Sequence, residues 1–229
     1  MSKKLTLFDT TLRDGEQSEG ISFTVHDKVK IAKLLDDIGI DYIEGGWPAA
    51  NPKAMEFFNE IKKIKLKNAK IVAFGSTCRA DNPPLKDKNL QGLLEVNTPT
   101  VCIFGKTWDL HVTHALNISL EKNLKLIEDS IRFLKSMKKE VFYDAEHFFD
   151  GYKANPEYAL KTVLAAQKAG ADCIILCDTN GGTLPHEIPT IMEFIKKNIK
   201  GPLGIHAHND SDTAVANTVT AVFNGATHV

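Results

Sequence analysis

The sequence predicts an α/β fold, a (β/α)8 TIM barrel truncated within its eighth strand. Three observations predict it. Short β-rich runs alternate with longer helical patterns along the whole 229-residue chain. Several of the short runs are continuously apolar, as at Cys173-Ile174-Ile175-Leu176, the pattern of parallel strands buried on both faces. Seven such units and the beginning of an eighth strand fit a barrel of ~250 residues. The competing open, doubly wound sheet would carry a glycine-rich GxGxxG turn after its first strand, and none follows here.

Strands are expected at 5–9, 40–44, 70–74, 100–104, 141–145, 172–177 and 203–208, with a last run beginning at Ala226. Thr24 opens a helix that has Val25, Val29, Ala32 and Leu35 at helical spacing and ends at Gly39. Asn51-Pro52 and Asn155-Pro156 each pair a cap with a first-turn proline, and Gly170 closes the second of these helices. Ser119 opens a long amphipathic run to about Lys138. Thr183 followed by Pro185 is expected to open another helix, and Ser211 the last, which Asn224-Gly225 closes. Residues 76–99 break the rhythm: Asp81-Asn82-Pro83-Pro84 and then 88–94 suggest an insertion with a short extra helix inside one βα unit. Residues 1–229 thus form one barrel domain without a linker. Its first and seventh strands would lack a full partner between them, an aggregation liability. The sequence is therefore expected to be a piece of a longer natural chain, without the end of strand eight and helix eight.

Hydrophobic residues make up 43% and charged residues 25%, an ordinary soluble balance that excludes disorder and fibrous repeats. With 28 basic and 29 acidic residues the net charge is −1, so electrostatics gives no case for nucleic acid. No apolar run approaches the ~18 residues of a membrane span. The basic start Met1-Ser2-Lys3-Lys4 is followed by too short an apolar stretch for a signal peptide. Cys78, Cys102, Cys173 and Cys177 lie in or beside apolar strand runs, as buried thiols of a cytoplasmic protein do.

Active sites of such barrels lie at the C-terminal ends of the strands, where this sequence concentrates polar residues. His206 and His208 stand at i and i+2 of one strand and so project to one side. Two imidazoles repel when both are protonated, so a divalent cation is a natural occupant; the bland alternative is a pair of hydrogen-bonded core histidines. Ring closure brings Asp14, just past strand one, towards them. Two histidines and a carboxylate leave positions open for water or substrate and admit Zn²⁺, Mn²⁺, Co²⁺ or Mg²⁺. Asn209 and Asp210 are candidates to orient the imidazoles, with helix capping as the alternative for Asp210. Arg13 beside the proposed ligand suits a carboxylate or a developing oxyanion, or a salt bridge to Glu44 or Glu146. Glu146 is a candidate acid/base or positioning group. Thr179 offers a hydroxyl suited to a substrate carboxylate, or an ordinary strand-end hydrogen bond. His26, His111, His114, His186 and His228 are read as surface, loop or helix-end residues, and no GxSxG supports serine-nucleophile chemistry.

Phe8-Asp9-Thr10-Thr11-Leu12-Arg13-Asp14-Gly15-Glu16-Gln17 together with His206-Ala207-His208-Asn209-Asp210 resembles the metal-dependent Claisen-condensing acyltransferases and lyases. That family includes 2-isopropylmalate synthase, homocitrate synthase, citramalate synthase and hydroxymethylglutaryl-CoA lyase, and the likeness runs along essentially the whole chain. Four further segments resemble the citramalate synthase branch: Tyr42-Ile43-Glu44-Gly45-Gly46-Trp47-Pro48 with Asn51-Pro52-Lys53, Phe104 to Thr113, Asp144 to Tyr152, and Cys177 to Gly182.

The resemblance implies that Asp14, His206 and His208 bind the divalent metal (Mg, Mn, Zn or Co). It implies that Arg13 polarises the carbonyl of a 2-oxo acid and stabilises the alkoxide. Thr179 would hold the carboxylate, Glu146 would assist at the reacting centre, and Gln17 and Glu44 would line the site. The implied reaction joins acetyl-CoA to pyruvate, then hydrolyses the thioester, on the route to isoleucine. The alternatives are 2-oxoisovalerate on the route to leucine, cleavage of a hydroxyacyl-CoA, or a catalytically silent metal-binding barrel. The family's further asparagine ligand, C-terminal subdomains and regulatory domain have no counterpart in this sequence. The full-length protein is expected to be a homodimer, and the fragment itself to be inactive.

Overall fold

A computed structural model of the chain describes residues 5–229; the basic start, residues 1–4, lies outside them. Seven strands form one parallel sheet in sequential order: β1 (Phe8–Asp9), β2 (Tyr42–Gly46), β3 (Lys70–Ser76), β4 (Thr100–Lys106), β5 (Glu140–Glu146), β6 (Cys173–Asp178) and β7 (Leu203–Ala207). The sheet curls until its edges nearly meet. Thr227 and His228 bond to Leu203 and Ile205 of β7, while Thr6 and Phe8 bond to Thr227 and Val229. Among the described residues the eighth position carries isolated bridges from His228 to Thr6 and Gly204. Seven strands and this short run make the incomplete barrel that the sequence predicts.

Helices α1 (Val25–Asp37), α2 (Pro52–Ile61), α3 (Lys88–Glu95), α4 (Asp109–His114), α5 (Leu120–Ser136), α6 (Phe148–Ala154), α7 (Pro156–Ala169), α8 (Ile188–Asn198) and α9 (Ala214–Phe223) connect the strands. Their starts follow local chemistry. Thr24 and Asp27 form a reciprocal capping box. Asn51, Ser119 and Asn155 each accept a backbone N–H of the first turn. Gly170 ends α7 in the left-handed conformation, φ 96°.

The local signals mislead in three places. Residues 88–95 are no extra helix: α3 is the connection between β3 and β4. The Thr183 hydroxyl binds the Asp178 carboxylate instead of capping, and α8 starts at Ile188. Likewise α9 starts after Thr213, not Ser211. In both cases a buried network decides. Asn217 donates to the Thr183 carbonyl, tying the loop after β6 to α9. All four cysteines are buried free thiols.

Strand parity sorts the core into two layers. Ile43, Ala73, Val101, Ile103, Val141, Tyr143, Ile174, Leu176, Leu203 and Ile205 face the helices. Val72, Phe74, Cys102, Phe142, Cys173, Ile175 and Cys177 fill the barrel, with Phe8, Tyr42, Trp47 and Phe104 against them. The inward parity continues upward through Glu44, Asp144, Glu146, Thr179, His206 and His208, so the fold that packs the interior also aims the site.

Gly45 shows how tightly the outer layer is fitted. A Cβ there would meet Phe57 Cε1 at 2.5 Å and Phe58 Cε1 at 3.0 Å, and both rings are buried. Gly45→Ala is expected to cost about 1–3 kcal/mol. The loss would be read as a lower denaturant midpoint at unchanged slope; an unmoved midpoint would show that the two rings can give way.

Candidate active site and metal centre

The loop after β1 is shaped by one carbonyl. Thr10 O accepts the N–H groups of Arg13, Asp14 and Gly15 at 3.0, 2.8 and 3.2 Å, and Asp9 accepts both the N–H and the hydroxyl of Thr11. This turn presents Arg13 and Asp14 to the barrel mouth. From the far side, β7 delivers two imidazoles to the same point. His206 Nε2 lies 3.4 Å and His208 Nε2 3.3 Å from Asp14 Oδ2, and the ring centroids are 5.1 Å apart.

These distances fit a shared cation. Ligands bound at ~2.0–2.2 Å stand about 3.0–3.5 Å from one another, and both histidines turn the same ring nitrogen to one carboxylate oxygen. Hydrogen bonds from His206 and His208 hold the Asp14 carboxyl far below the usual carboxylate range, with Arg13 reinforcing them against burial. The bond to Asp14 in turn raises the His208 imidazole. Asp14 is thus an anion throughout the useful pH range. Two other acid-containing groups, Asp144/Cys177/His206 and Glu44/Cys102/Asp144, are also close enough to share an ion. Burial pushes both thiols well up, away from the thiolate that ligation needs. Among the described residues, the Asp14 cluster has the better donor set.

Arg13 is braced from three sides. Its Nε donates to Glu44 at 2.5 Å, its Nη1 to Asp14 at 2.9 Å, and its guanidinium lies 3.8 Å from the centre of the Phe74 ring. Burial alone would lower its pKa; Glu44, Asp14 and Asp144 more than offset that, and the net direction is up. Two of its five N–H donors are committed in these bonds, and Arg13 lines a cavity of about 570 Å³. Of the residues named from the sequence, Arg13, Asp14, Gln17, Glu146, Thr179, His206 and His208 line that cavity.

Glu44, implied as a lining residue, sits one layer deeper. It does not line the cavity but lies beneath Arg13 at 0% exposure, because strand parity points it into the barrel and the guanidinium closes over it. Burial pushes its carboxyl up against the pull of Arg13. Arg13 pairs with Glu44 rather than Glu146, which is held by Lys106 at 2.5 Å. Asn209 accepts the Ala214 N–H at the start of α9, a tie that the sequence reading did not foresee for it.

Other site residues escaped the sequence reading. Asp144 is buried beside Arg13 and lines the cavity; its position two residues before Glu146 on one strand was the available signal. Trp47, Phe74 and Phe104 pack mutually, at 5.5–5.9 Å between centroids, into an aromatic wall of the same cavity. His111, read as a loop residue, instead packs its ring 4.5 Å from that of His147. No local pattern announces that contact between α4 and the end of β5, far apart in sequence.

The HMGL-like family model matches residues 4–229. The chain is 62% identical to an (R)-citramalate synthase of Geobacter sulfurreducens over 97% of its own length and 42% of the relative's. It is 36% identical to a 2-isopropylmalate synthase of Lactococcus lactis subsp. cremoris, over 99% of this chain and 44% of the relative. It therefore spans less than half the length of these relatives. The crystal structure of the HMG-CoA lyase of Bacillus subtilis superimposes with a TM-score of 0.81 at 22% identity, covering 99% of this chain and 76% of that one. That likeness is one of fold.

Proposed function

The chain belongs to the HMGL-like family, and from that membership we propose that it is the catalytic barrel of an acyltransferase joining acetyl-CoA to pyruvate to give citramalate. The observation that carries the reading is the convergence of Asp14, His206 and His208 on one point with Arg13 beside it. The 62% identity to an (R)-citramalate synthase favours pyruvate over the branched 2-oxoisovalerate. The aromatic wall of Trp47, Phe74 and Phe104 supports a small substituent on the 2-oxo acid.

A divalent ion held by Asp14, His206 and His208 would act as Lewis acid on the 2-oxo acid. Thr179 would donate its hydroxyl to the carboxylate. The free N–H groups of Arg13 would bind the keto oxygen and hold the negative charge that gathers there as the acetyl methyl carbon, having lost a proton, bonds to the keto carbon. That electron pair ends on oxygen and takes up a proton, and water then cleaves the thioester to release CoA. Glu146 would assist at the reacting carbon. A second cavity, of about 1010 Å³, shares Trp47 and Phe104 with the first and is lined by Arg79, Lys86, Lys88 and Lys106 together with Asp81 and Asp87. Its four cations would receive the phosphates of CoA. The proposed setting is a cytoplasmic homodimer that supplies isoleucine synthesis.

Thiol release from acetyl-CoA by the full-length protein, with a panel of 2-oxo acids, tests the reading. Pyruvate is expected to exceed 2-oxoisovalerate in kcat/KM by about 10–200-fold, the range open to small apolar differences. A chelator should abolish turnover, and Mg²⁺, Mn²⁺, Zn²⁺ or Co²⁺ should restore it. Preference for 2-oxoisovalerate would move the assignment to the isopropylmalate reaction. No thiol release with any acid and any metal would leave a silent metal-binding barrel.

A further inference from the structure

The residue after Glu146 has a positive φ, uncommon for a residue with a side chain. His147 sits at φ 56°, ψ 34°, in the left-handed region, where a side chain crowds its own carbonyl. Such a residue persists only where its surroundings hold it, and it tends to mark a working part of a site. Its surroundings do hold it. Nδ1 lies 3.0 Å from Asp150 Oδ2. The ring stands edge-on to His111 at 4.5 Å, and Trp108 lies 5.9 Å away. His147, with Asn180 beside Thr179, holds the Asp150 carboxyl below its ordinary range against burial.

The held conformation turns the His147 N–H towards β6, where it donates to Thr179 Oγ1 at 2.9 Å. A hydroxyl has one proton to give and two lone pairs to accept with. With one lone pair taken by the His147 N–H, and no acceptor for its proton among the described residues, the Thr179 hydroxyl is left as a donor lining the cavity. A donor of this kind recognises an anionic oxygen.

We propose that His147 is a positioning residue for the 2-oxo acid: clamped by Asp150, His111 and Trp108, its left-handed backbone fixes the Thr179 hydroxyl as a donor to the substrate carboxylate. This rests on the reading of Thr179 as the carboxylate holder. His147 itself does not line the cavity and acts through Thr179.

A double-mutant cycle in the full-length protein tests it. His147→Ala, which keeps the N–H but loses the clamp, is expected to raise KM and Kd for pyruvate about tenfold and to leave KM for acetyl-CoA within about twofold. In a Thr179→Val background the same change should cost less than about twofold. His147→Gly should recover part of the loss, because glycine adopts the positive φ unaided. Where His147→Ala does not fold, Asp150→Asn loosens the clamp isosterically and is expected to give the same non-additivity at a few-fold. If Thr179→Val leaves pyruvate affinity unchanged, the Thr179 reading falls. If Thr179→Val weakens pyruvate but the His147 or Asp150 effect is absent, or simply adds to it, the positioning role falls alone.

Discussion

His208→Ala is expected to lower turnover of the full-length protein about a thousandfold or more: with His208 holding the proposed metal, its loss would remove several kcal/mol of charge stabilisation at the reacting oxygen. The ring is a third exposed, so the fold should survive, and calorimetric titration with Mn²⁺ or Zn²⁺ should show the affinity lost with the activity. The same contact sets a pH dependence. Asp14 raises the His208 pKa above the ordinary 6.5. In the metal-free protein that pairing stabilises the fold fully below about pH 6.5 and is lost as pH rises through the raised value. Asp14, whose pKa is lowered, contributes above the ordinary carboxylate range and loses that contribution only in strong acid. Metal must displace the proton from His208. Added metal should therefore raise the melting temperature more at pH 8 than at pH 6, and His208→Ala should erase the difference. A metal-induced shift that is equal at both values, or that survives the substitution, would remove His208 from the ligand set.

Much of this arrangement is legible in the sequence, for a physical reason. Barrel strands announce themselves by continuous apolarity, and parity along a strand is a property of sequence. His206 and His208 had to share a face, and ring closure had to bring Asp14 near them. What stayed hidden depended on packing between elements. That Arg13 pairs with Glu44 rather than Glu146 follows from which carboxylate the guanidinium covers, and Lys106 had already taken Glu146. The starts of α8 and α9 follow from a buried network of Asp178, Thr183 and Asn217, which overrides the local capping signal. His111 and His147 meet only because the ends of β4 and β5 are neighbours in the sheet. A single chain read from left to right assigns each of these residues to its own loop.

Arg13→Ala should produce the other large effect, and a second substitution separates its two causes. Glu44 is 0% exposed and its cation is Arg13. Removing one partner of a buried ion pair typically costs about 3–5 kcal/mol, since the remaining charge has no counterion. Activity lost in Arg13→Ala therefore mixes instability with chemistry. Arg13→Ala with Glu44→Gln removes both charges and should recover most of the melting temperature. Turnover should stay down by at least about a hundredfold, because no donor is left for the developing alkoxide, and metal affinity should move far less than kcat. The pH dependence follows from Glu44. Burial raises its pKa from 4.5 to about 7 although Arg13 pulls the other way. Its folded carboxyl thus binds a proton more tightly than the unfolded one, and its contribution is present at low pH and lost as pH rises from 4.5 towards 7. Without Arg13 the pKa climbs further, so the decline should extend to higher pH in Arg13→Ala and flatten in the double variant, whose amide does not titrate. Arg13→Lys keeps the charge but not the planar fork that serves Glu44 and Asp14 together, and should fold better than the alanine variant without matching native turnover. Full activity in the double variant would mean that Arg13 does no more than neutralise Glu44.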